Sequence, residues 1–391
     1  MRRIVAGLLL IGLAVAAFFG WTAGVDALQR DGADRPVAGA ELAVPSIVYD
    51  PPQVLADTEH NGPPGPVAIA FRGNEARHGL SDSSTDPWIV VSAATGDYRV
   101  LAAPHLPARG EGPLVVAPDG RALAWGWNGG VVVYDPVSGE SRELAGELSE
   151  RPRDLVWSGS GDRLAFYAGG AAQVLDAASG ELTAVPGLSE QSERHLAFGP
   201  GGETLVASAP TGLSVVNWRS GQRQRIDAAL GRVVGLRGGP ESGRVAVLSI
   251  ERFGNPVRVL DPGRRSAPVH RVAPERLFVQ QLVGWLGHNA VAVVALSAQT
   301  GPLRTIYQVS VDDASYSPLV TLPDVDGTNW TDSSTLSVAT GLLQTRVADL
   351  GEPNWPWDPR AKLSALVLVT FFLLGYLVLM KPRRRRTSRR R

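Results

Sequence analysis

Residues able to do chemistry are few and widely spaced in this 391-residue chain. Asp135, Asp176 and Asp261 recur at one position of a repeated pattern, and paired carboxylates are what glycoside hydrolysis requires. Each of the three also opens a tight turn, where an Asp side chain bonds to the backbone two residues on, and a turn role is the reading this context favours. The six histidines (His60, His78, His105, His195, His270 and His288) include no pair at metal-ligand spacing, which leaves them as surface or turn residues. Ser158-Gly-Ser160-Gly falls short of the Gly-x-Ser-x-Gly frame of a nucleophile elbow and lies in a repeat turn. Asp324-Val-Asp326-Gly327-Thr-Asn329 gathers oxygen ligands but misses the EF-hand spacing. No P-loop or complete Gly-x-Gly-x-x-Gly leads from a strand into a helix. With no cysteine, disulfides and thiolate metal sites are excluded. These readings assign no catalytic residue, no cofactor and no metal, and they predict a protein that is not an enzyme.

The elements that must position these residues are repeats. Pro113 to Leu144, Asp154 to Val185 and His195 to Ile226 share one grammar: strand, Gly-rich turn, strand, short loop, strand, Ser-Gly turn, strand. The first-hairpin glycines Gly120, Gly161, Gly202 and Gly243 are each 41 residues apart, and the second-hairpin glycines Gly96, Gly139, Gly180 and Gly221 keep nearly the same time. A period near 40 with four short strands per unit marks the blades of a β-propeller. Looser units precede the clear set at Val67 to Leu101 and follow it at Val233 to Val269 and Val279 to Leu322. A last partial unit, Asn329 to Thr340 with Leu342 to Leu350, lacks a fourth strand. Ser46-Ile-Val-Tyr-Asp50 is the expected donor, giving seven blades, with six as the alternative if that closure is absent.

Ala117-Pro-Asp-Gly120, followed by Val133-Tyr-Asp-Pro-Val-Ser-Gly139, resembles the WD40-like repeat of TolB-type bacterial propellers. The resemblance covers Val67 to Leu322 and is strongest in three units. It departs from eukaryotic WD40 domains, since no unit ends in Trp-Asp or opens with Gly-His. What it implies is an all-β propeller fold; it implies little about activity, because propellers carry binding modules and unrelated enzymes alike.

Two uncharged 18-residue stretches, Ile4 to Trp21 and Leu363 to Met380, flank this region. Each would span about 27 Å as a helix, and neither has a polar face. The first reads as an uncleaved anchor, with cleavage near Val25-Asp26-Ala27 as the alternative; Arg2-Arg3 lacks the surroundings of a twin-arginine signal. Lys381, Arg383, Arg384, Arg385 and Arg386 head a basic tail that, with Arg2 and Arg3, places both termini in the cytoplasm. Trp355 and Trp357 fall where an interfacial aromatic belt is expected. The expected organisation is a membrane anchor or signal over 1–25, a linker over 26–43, an extracytoplasmic propeller over 44–350, a Trp/Pro spacer over 351–362, a transmembrane helix over 363–380 and a cytoplasmic tail over 381–391. If the first stretch is cleaved, the protein crosses the plasma membrane once rather than twice. Between the apolar stretches lie all 38 acidic residues and 28 of the 38 basic ones, a net charge of −10 that argues against a nucleic-acid groove.

Trp125, Trp157, Trp285 and Trp330 fall near equivalent strand positions, as inter-blade core residues do. His78 to Asp86 is an irregular polar insertion in the first unit, and His78, Asp82 and Asp86 are the candidates for an interaction loop. The expected function is a membrane-tethered, non-catalytic module that binds a protein or cell-envelope partner through its loop-rich face and central channel, in addition to the lipid bilayer. An exported enzyme acting on glycan or peptide is one rival and would need two carboxylates in one cleft. A ligand sensor is the other and would need a cytoplasmic partner.

Overall fold

Runs of four to eight apolar and β-branched residues, broken by Gly, Asp, Ser and Pro, favour short antiparallel strands over helices. In the computed structural model they form six four-stranded antiparallel blades. The structure describes residues 41–353, 355 and 370, apart from 74, 79–81, 147, 190–193, 210–211, 240–242, 252–254, 264–269, 273–276, 298–300 and 323–335. Blades 2 to 6 are each a contiguous stretch whose first strand is innermost. These inner strands are Leu114–Val116, Arg153–Trp157, Leu196–Phe198, Arg232–Gly238 and Leu277–Leu286.

Blade 1 is composite. Val67–Arg72, Trp88–Ser92 and Tyr98–Val100 supply three strands, and Leu336–Val338, from the far end of the domain, supplies the innermost. The ring therefore has six blades, not the preferred seven: the strand read as the start of a seventh completes the first. Ser46 to Asp50 does not close the ring either. Val44–Pro45 pairs in parallel with Val347–Ala348, and Ile47 bridges Thr321 on the outer strand of blade 6. The early segment thus straps the outside of the seam, because the three-residue strand from the other end already satisfies the inner edge of Val67–Arg72.

Inner-strand bonds join successive blades. Gln281 Nε2 donates to the Leu336 carbonyl (3.1 Å), and Ser337 Oγ accepts from the Val116 N–H (2.9 Å). Trp157 Nε1 donates to Val115 O (3.1 Å) and Trp285 Nε1 to Arg237 O (3.0 Å), each reaching the preceding blade. Both indoles are buried, as is Trp125, so these three are core residues. Trp125, however, sits on a second strand and is not equivalent to the other two. Trp330 lies outside the described residues.

Strand direction gives the ring two faces. The upper face is where inner strands begin and second strands hand over to third; the lower face carries the first-to-second and third-to-fourth turns. A short helix, Thr340–Thr345, follows the closing strand onto the lower face. There the Leu342 N–H donates to Pro118 O (3.1 Å), and Thr340 packs against Gly284. The insertion of blade 1 is not an irregular loop but a hairpin, Glu75–His78 with Asp82–Thr85, pairing His78 opposite Asp82 on the upper face. Both apolar flanking stretches, Trp357 and the basic tail lie outside the described residues, save Thr370; no described helix is long and apolar enough to cross a membrane.

Candidate functional site: the axial channel

The aspartates of the repeat do not converge. Asp135 Oδ1 accepts the Val137 and Ser138 N–H groups (2.7 and 3.3 Å), and Asp176 Oδ1 accepts those of Ala178 and Ser179 (3.1 and 2.8 Å). Asp261 Oδ1 accepts from Gly263 (2.9 Å). Each closes a turn in its own blade, as the sequence context predicts. The Ser158–Ser160 turn is likewise internal: both hydroxyls donate to Asp162 Oδ1. Among the histidines, His60 Nδ1 meets Asp57 (2.9 Å), while His105 stacks on Trp127 (4.2 Å between rings) with its Nε2 3.3 Å from Glu143. Asp86 pairs with Arg109 (2.8 Å), and its carbonyl accepts from the buried Arg72. The side chains of His78 and Asp82 are not among those described. Asp324 to Asn329 also lies outside the described residues, and among these no cluster of three metal-ligating side chains occurs.

What the repeats do build is a channel. Six inner strands surround a cavity of 1210 Å³ that runs from Pro113, Asp154, Arg194 and Arg232 at the upper mouth to Thr340 and Gln344 of the helix below. A central channel is expected of a propeller, but sequence reasoning named none of the residues that line it, although a signal existed. An inner strand of a propeller packs on both neighbours, and Arg194, His195, Arg232 and Arg237 place charge or polarity in or beside strands whose counterparts are apolar.

At the mouth, Asp154 is held between two blades. Its backbone adopts φ 54°, a left-handed conformation costly for an L-residue, and the strand bulges there. Its carboxylate accepts the Leu196 N–H and lies 3.3 Å from His195 Nδ1. Among the described lining residues Asp154 is the sole carboxylate, facing Arg194, Arg232 and Arg237. Beside them two large apolar side chains stand open, Phe278 (52% exposed) and Ile250 (44%).

Deeper in, Arg237 is fixed by its own blade and the next: Nε donates to Val283 O (3.1 Å) and Nη1 to Leu236 O (2.8 Å). Burial pushes the guanidinium pKa down, and the Asp154 charge opposes this. The mouth is thus cationic and partly apolar although the domain around it is acidic, an arrangement that would focus attraction for anions.

No protein-family model matches the chain, nor does any curated protein. Among solved structures the chain is similar to a putative TolB from Agrobacterium tumefaciens, at 15% identity and TM-score 0.44, over 61% of this chain and 91% of that one. TolB from Acinetobacter baumannii is similar at 11% identity and TM-score 0.44, over 68% of each chain. An oligogalacturonate lyase from Vibrio parahaemolyticus is similar at 12% identity and TM-score 0.43, over 66% of this chain and 74% of that one. TolB-type propellers are thus among the structures it resembles, and the likeness is one of fold.

The exits of the domain lie at one place. The Ala43 N–H donates to Ala93 O (2.9 Å) at the lower end of blade 1, and Leu350 packs against Gly96 in the same turn. Trp355 packs edge-on against Tyr98 of the outer strand of blade 1, 5.0 Å between rings. Burial raises the pKa of that tyrosine hydroxyl, which accepts the Tyr49 N–H (2.8 Å).

Proposed function

We propose that this protein is a membrane-tethered, non-catalytic interaction module whose binding face is the upper face of the propeller, on the extracytoplasmic side. The observation that carries the reading is the separation of the first and last described segments from the mouth. Ala43 and Leu350 lie at the Ala93–Gly96 turn on the lower face of blade 1, while the cationic mouth, Phe278, Ile250 and the hairpin of blade 1 belong to the upper face. The seven residues between Trp355 and the second apolar stretch reach at most about 25 Å, so a membrane-spanning helix over 363–380 keeps the lower face near the bilayer. The mouth then opens away from the membrane, toward envelope components. The exposed Phe278 beside arginines has the composition of an interface centre.

The rival reading, an enzyme acting on glycan or peptide, calls for a second carboxylate in the same cleft. The described lining offers Asp154 alone, and its oxygens are already engaged by Leu196 and His195. Crosslinking mass spectrometry on intact cells expressing the full chain tests the proposal. A reproducible neighbour linked near the upper mouth, and lost in Phe278→Ser, is the expected result. Neighbours linked only through lower-face turns, or no specific neighbour for an abundant folded protein, would overturn it.

A further inference from the structure

Pro113, Asp154 and His195 hold the same repeat position, at the upper end of the inner strand, in blades 2, 3 and 4. Two titratable side chains thus stand where blade 2 has a proline, and they meet across a blade interface. His195 Nδ1 lies 3.3 Å from Asp154 Oδ1, and the same carboxylate accepts the Leu196 N–H. On its other side the His195 backbone is fixed by Ser208, whose N–H donates to the His195 carbonyl (2.9 Å) and whose Oγ accepts the His195 N–H (3.1 Å). The ring is therefore oriented with Nδ1 toward Asp154, and its Nε2 has no hydrogen-bond partner among the described residues. The side chain stays 28% exposed and lines the channel.

The charged groups around this ring come from three blades. Asp154 belongs to blade 3, Arg194 adjoins His195 in blade 4, and Arg232 and Arg237 lie on the inner strand of blade 5. Three arginines against one aspartate give the described lining a net charge of +2 with His195 neutral and +3 with it protonated. Arg232 stands opposite Ile250 in its ladder, and Phe278 lies near the start of the next inner strand, so charge and open apolar surface adjoin around the mouth. Histidine is the side chain whose ordinary titration falls between pH 5 and 8.

From this arrangement we infer that His195 makes the mouth a proton-linked docking site for an acidic polypeptide segment bearing apolar side chains. Protonation of the ring adds a cation beside Arg194 and Arg232, and the segment is held more tightly as pH falls. The inference rests on the interaction-module reading and names the chemistry of the partner. Charge complementarity selects an acidic segment, since the mouth is cationic within an acidic domain. The exposed Phe278 and Ile250 select a polypeptide with apolar side chains over an acidic glycan. An anionic partner favours the charged ring, so by reciprocity ring protonation favours the partner. Asp154 orients the ring and, as the sole negative charge in the described lining, opposes the partner.

Fluorescence anisotropy on the full chain in detergent micelles, at fixed ionic strength, tests this with a labelled octapeptide of alternating aspartate and leucine. Aspartate stays ionised between about pH 5.5 and pH 7.5, so the probe keeps its charge across that range. Wild-type protein is expected to bind it severalfold more tightly at the lower pH, and His195→Gln to bring that ratio to about one. Arg232→Gln is expected to weaken binding severalfold at both pH values while keeping the ratio. Asp154→Asn, in which asparagine tolerates the left-handed backbone as aspartate does, is expected to strengthen binding at both, a gain that misfolding does not produce. No binding at millimolar peptide, equal wild-type affinity at the two pH values, or a ratio retained in His195→Gln overturns the inference. Tighter binding of polygalacturonate than of the peptide overturns the choice of a polypeptide. If crosslinking still recovers an upper-face partner in any of these cases, the interaction module stands and only the proton-linked site falls.

Discussion

Blade 3 and blade 1 have the same four-stranded sheet, yet one is written in a single stretch of chain and the other is assembled from both ends of the domain. Blade 3 runs from Arg153 to Ser189 with hairpin connections throughout, so every strand finds its partner locally. Blade 1 must wait for Leu336–Val338, more than 260 residues after Val67–Arg72, before its inner edge is paired. The difference separates two sources of stability. Local hairpins cost little loop-closure entropy, whereas the composite blade holds the whole ring shut and concentrates the non-local cost in one three-residue strand.

The strongest way to break this comparison is to weaken the closing strand. Leu336 is 1% exposed and Leu164, on the second strand of blade 3, is fully buried. Leu336→Ala and Leu164→Ala should each cost about 2–5 kcal/mol in urea unfolding. The two should differ in where the structure opens. Hydrogen exchange should rise in blades 1, 2 and 6 together for Leu336→Ala, because its strand touches all three through Ser337–Val116 and Gln281–Leu336. For Leu164→Ala the rise should centre on blade 3. A rise confined to blade 1 in the first variant would mean that closure does not couple the ring.

A sharper contrast comes from one turn position. Gly120 and Gly161 occupy the same place in blades 2 and 3 and share φ +73°. A Cβ at Gly161 meets nothing nearer than Pro118 Cδ at 3.6 Å, whereas one at Gly120 would overlap the Val67 carbonyl oxygen at the seam. Gly161→Ala should cost about 1–2 kcal/mol from the left-handed backbone alone. Gly120→Ala should cost about 1–3 kcal/mol more, since backbone must shift to make room. Equal thermal shifts for the two variants would deny any special tightness at the seam.

The same contrast explains which parts of the molecule could be read from residues alone. The 41-residue beat of Gly120, Gly161, Gly202 and Gly243 reports local turns, and local turns specify blades 2 to 4. Turn chemistry was legible for the same reason: Asp135, Asp176 and Asp261 bond within two or three residues of themselves. Blade count was not legible, because whether Leu336–Val338 starts a blade or finishes one depends on a partner on Val67–Arg72. The residues that line the channel were hidden by the same logic. Arg237 acquires meaning from Val283, in another blade, and Asp154 from His195 and Leu196 across a blade interface. Trp355 likewise gains a partner, Tyr98, from the far end of the domain.

Smaller effects follow from the aspartates of the turns in two contiguous blades, blade 3 far from the seam and blade 6 beside it, where the distance from the seam should not matter. Removing the Asx bonds by Asp176→Ala in blade 3 should cost about 0.5–1.5 kcal/mol, within the ordinary range for a hydrogen bond. Backbone and hydroxyl donation from Ser179 holds the Asp176 carboxyl below the usual range. In blade 6, the hydroxyl of Ser310 first, then the N–H and hydroxyl of Ser315, lower Asp313 to about 2. A depressed folded-state pKa stabilises the native form above the unfolded value, near 3.9, and that contribution disappears as pH falls through the folded value. Acid should therefore begin to erode both turns below about pH 4, and for Asp313 the loss should run down to about pH 2. Carboxyl titration by NMR between pH 2 and pH 5 checks this directly. An Asp313 midpoint at the unfolded value would show that its serine bonds do not persist in solution. Erosion of both turns on the acid side would make the lower-face hairpins one local device, repeated without regard to the seam, and confine the non-local part of the fold to the closing strand and the channel it completes.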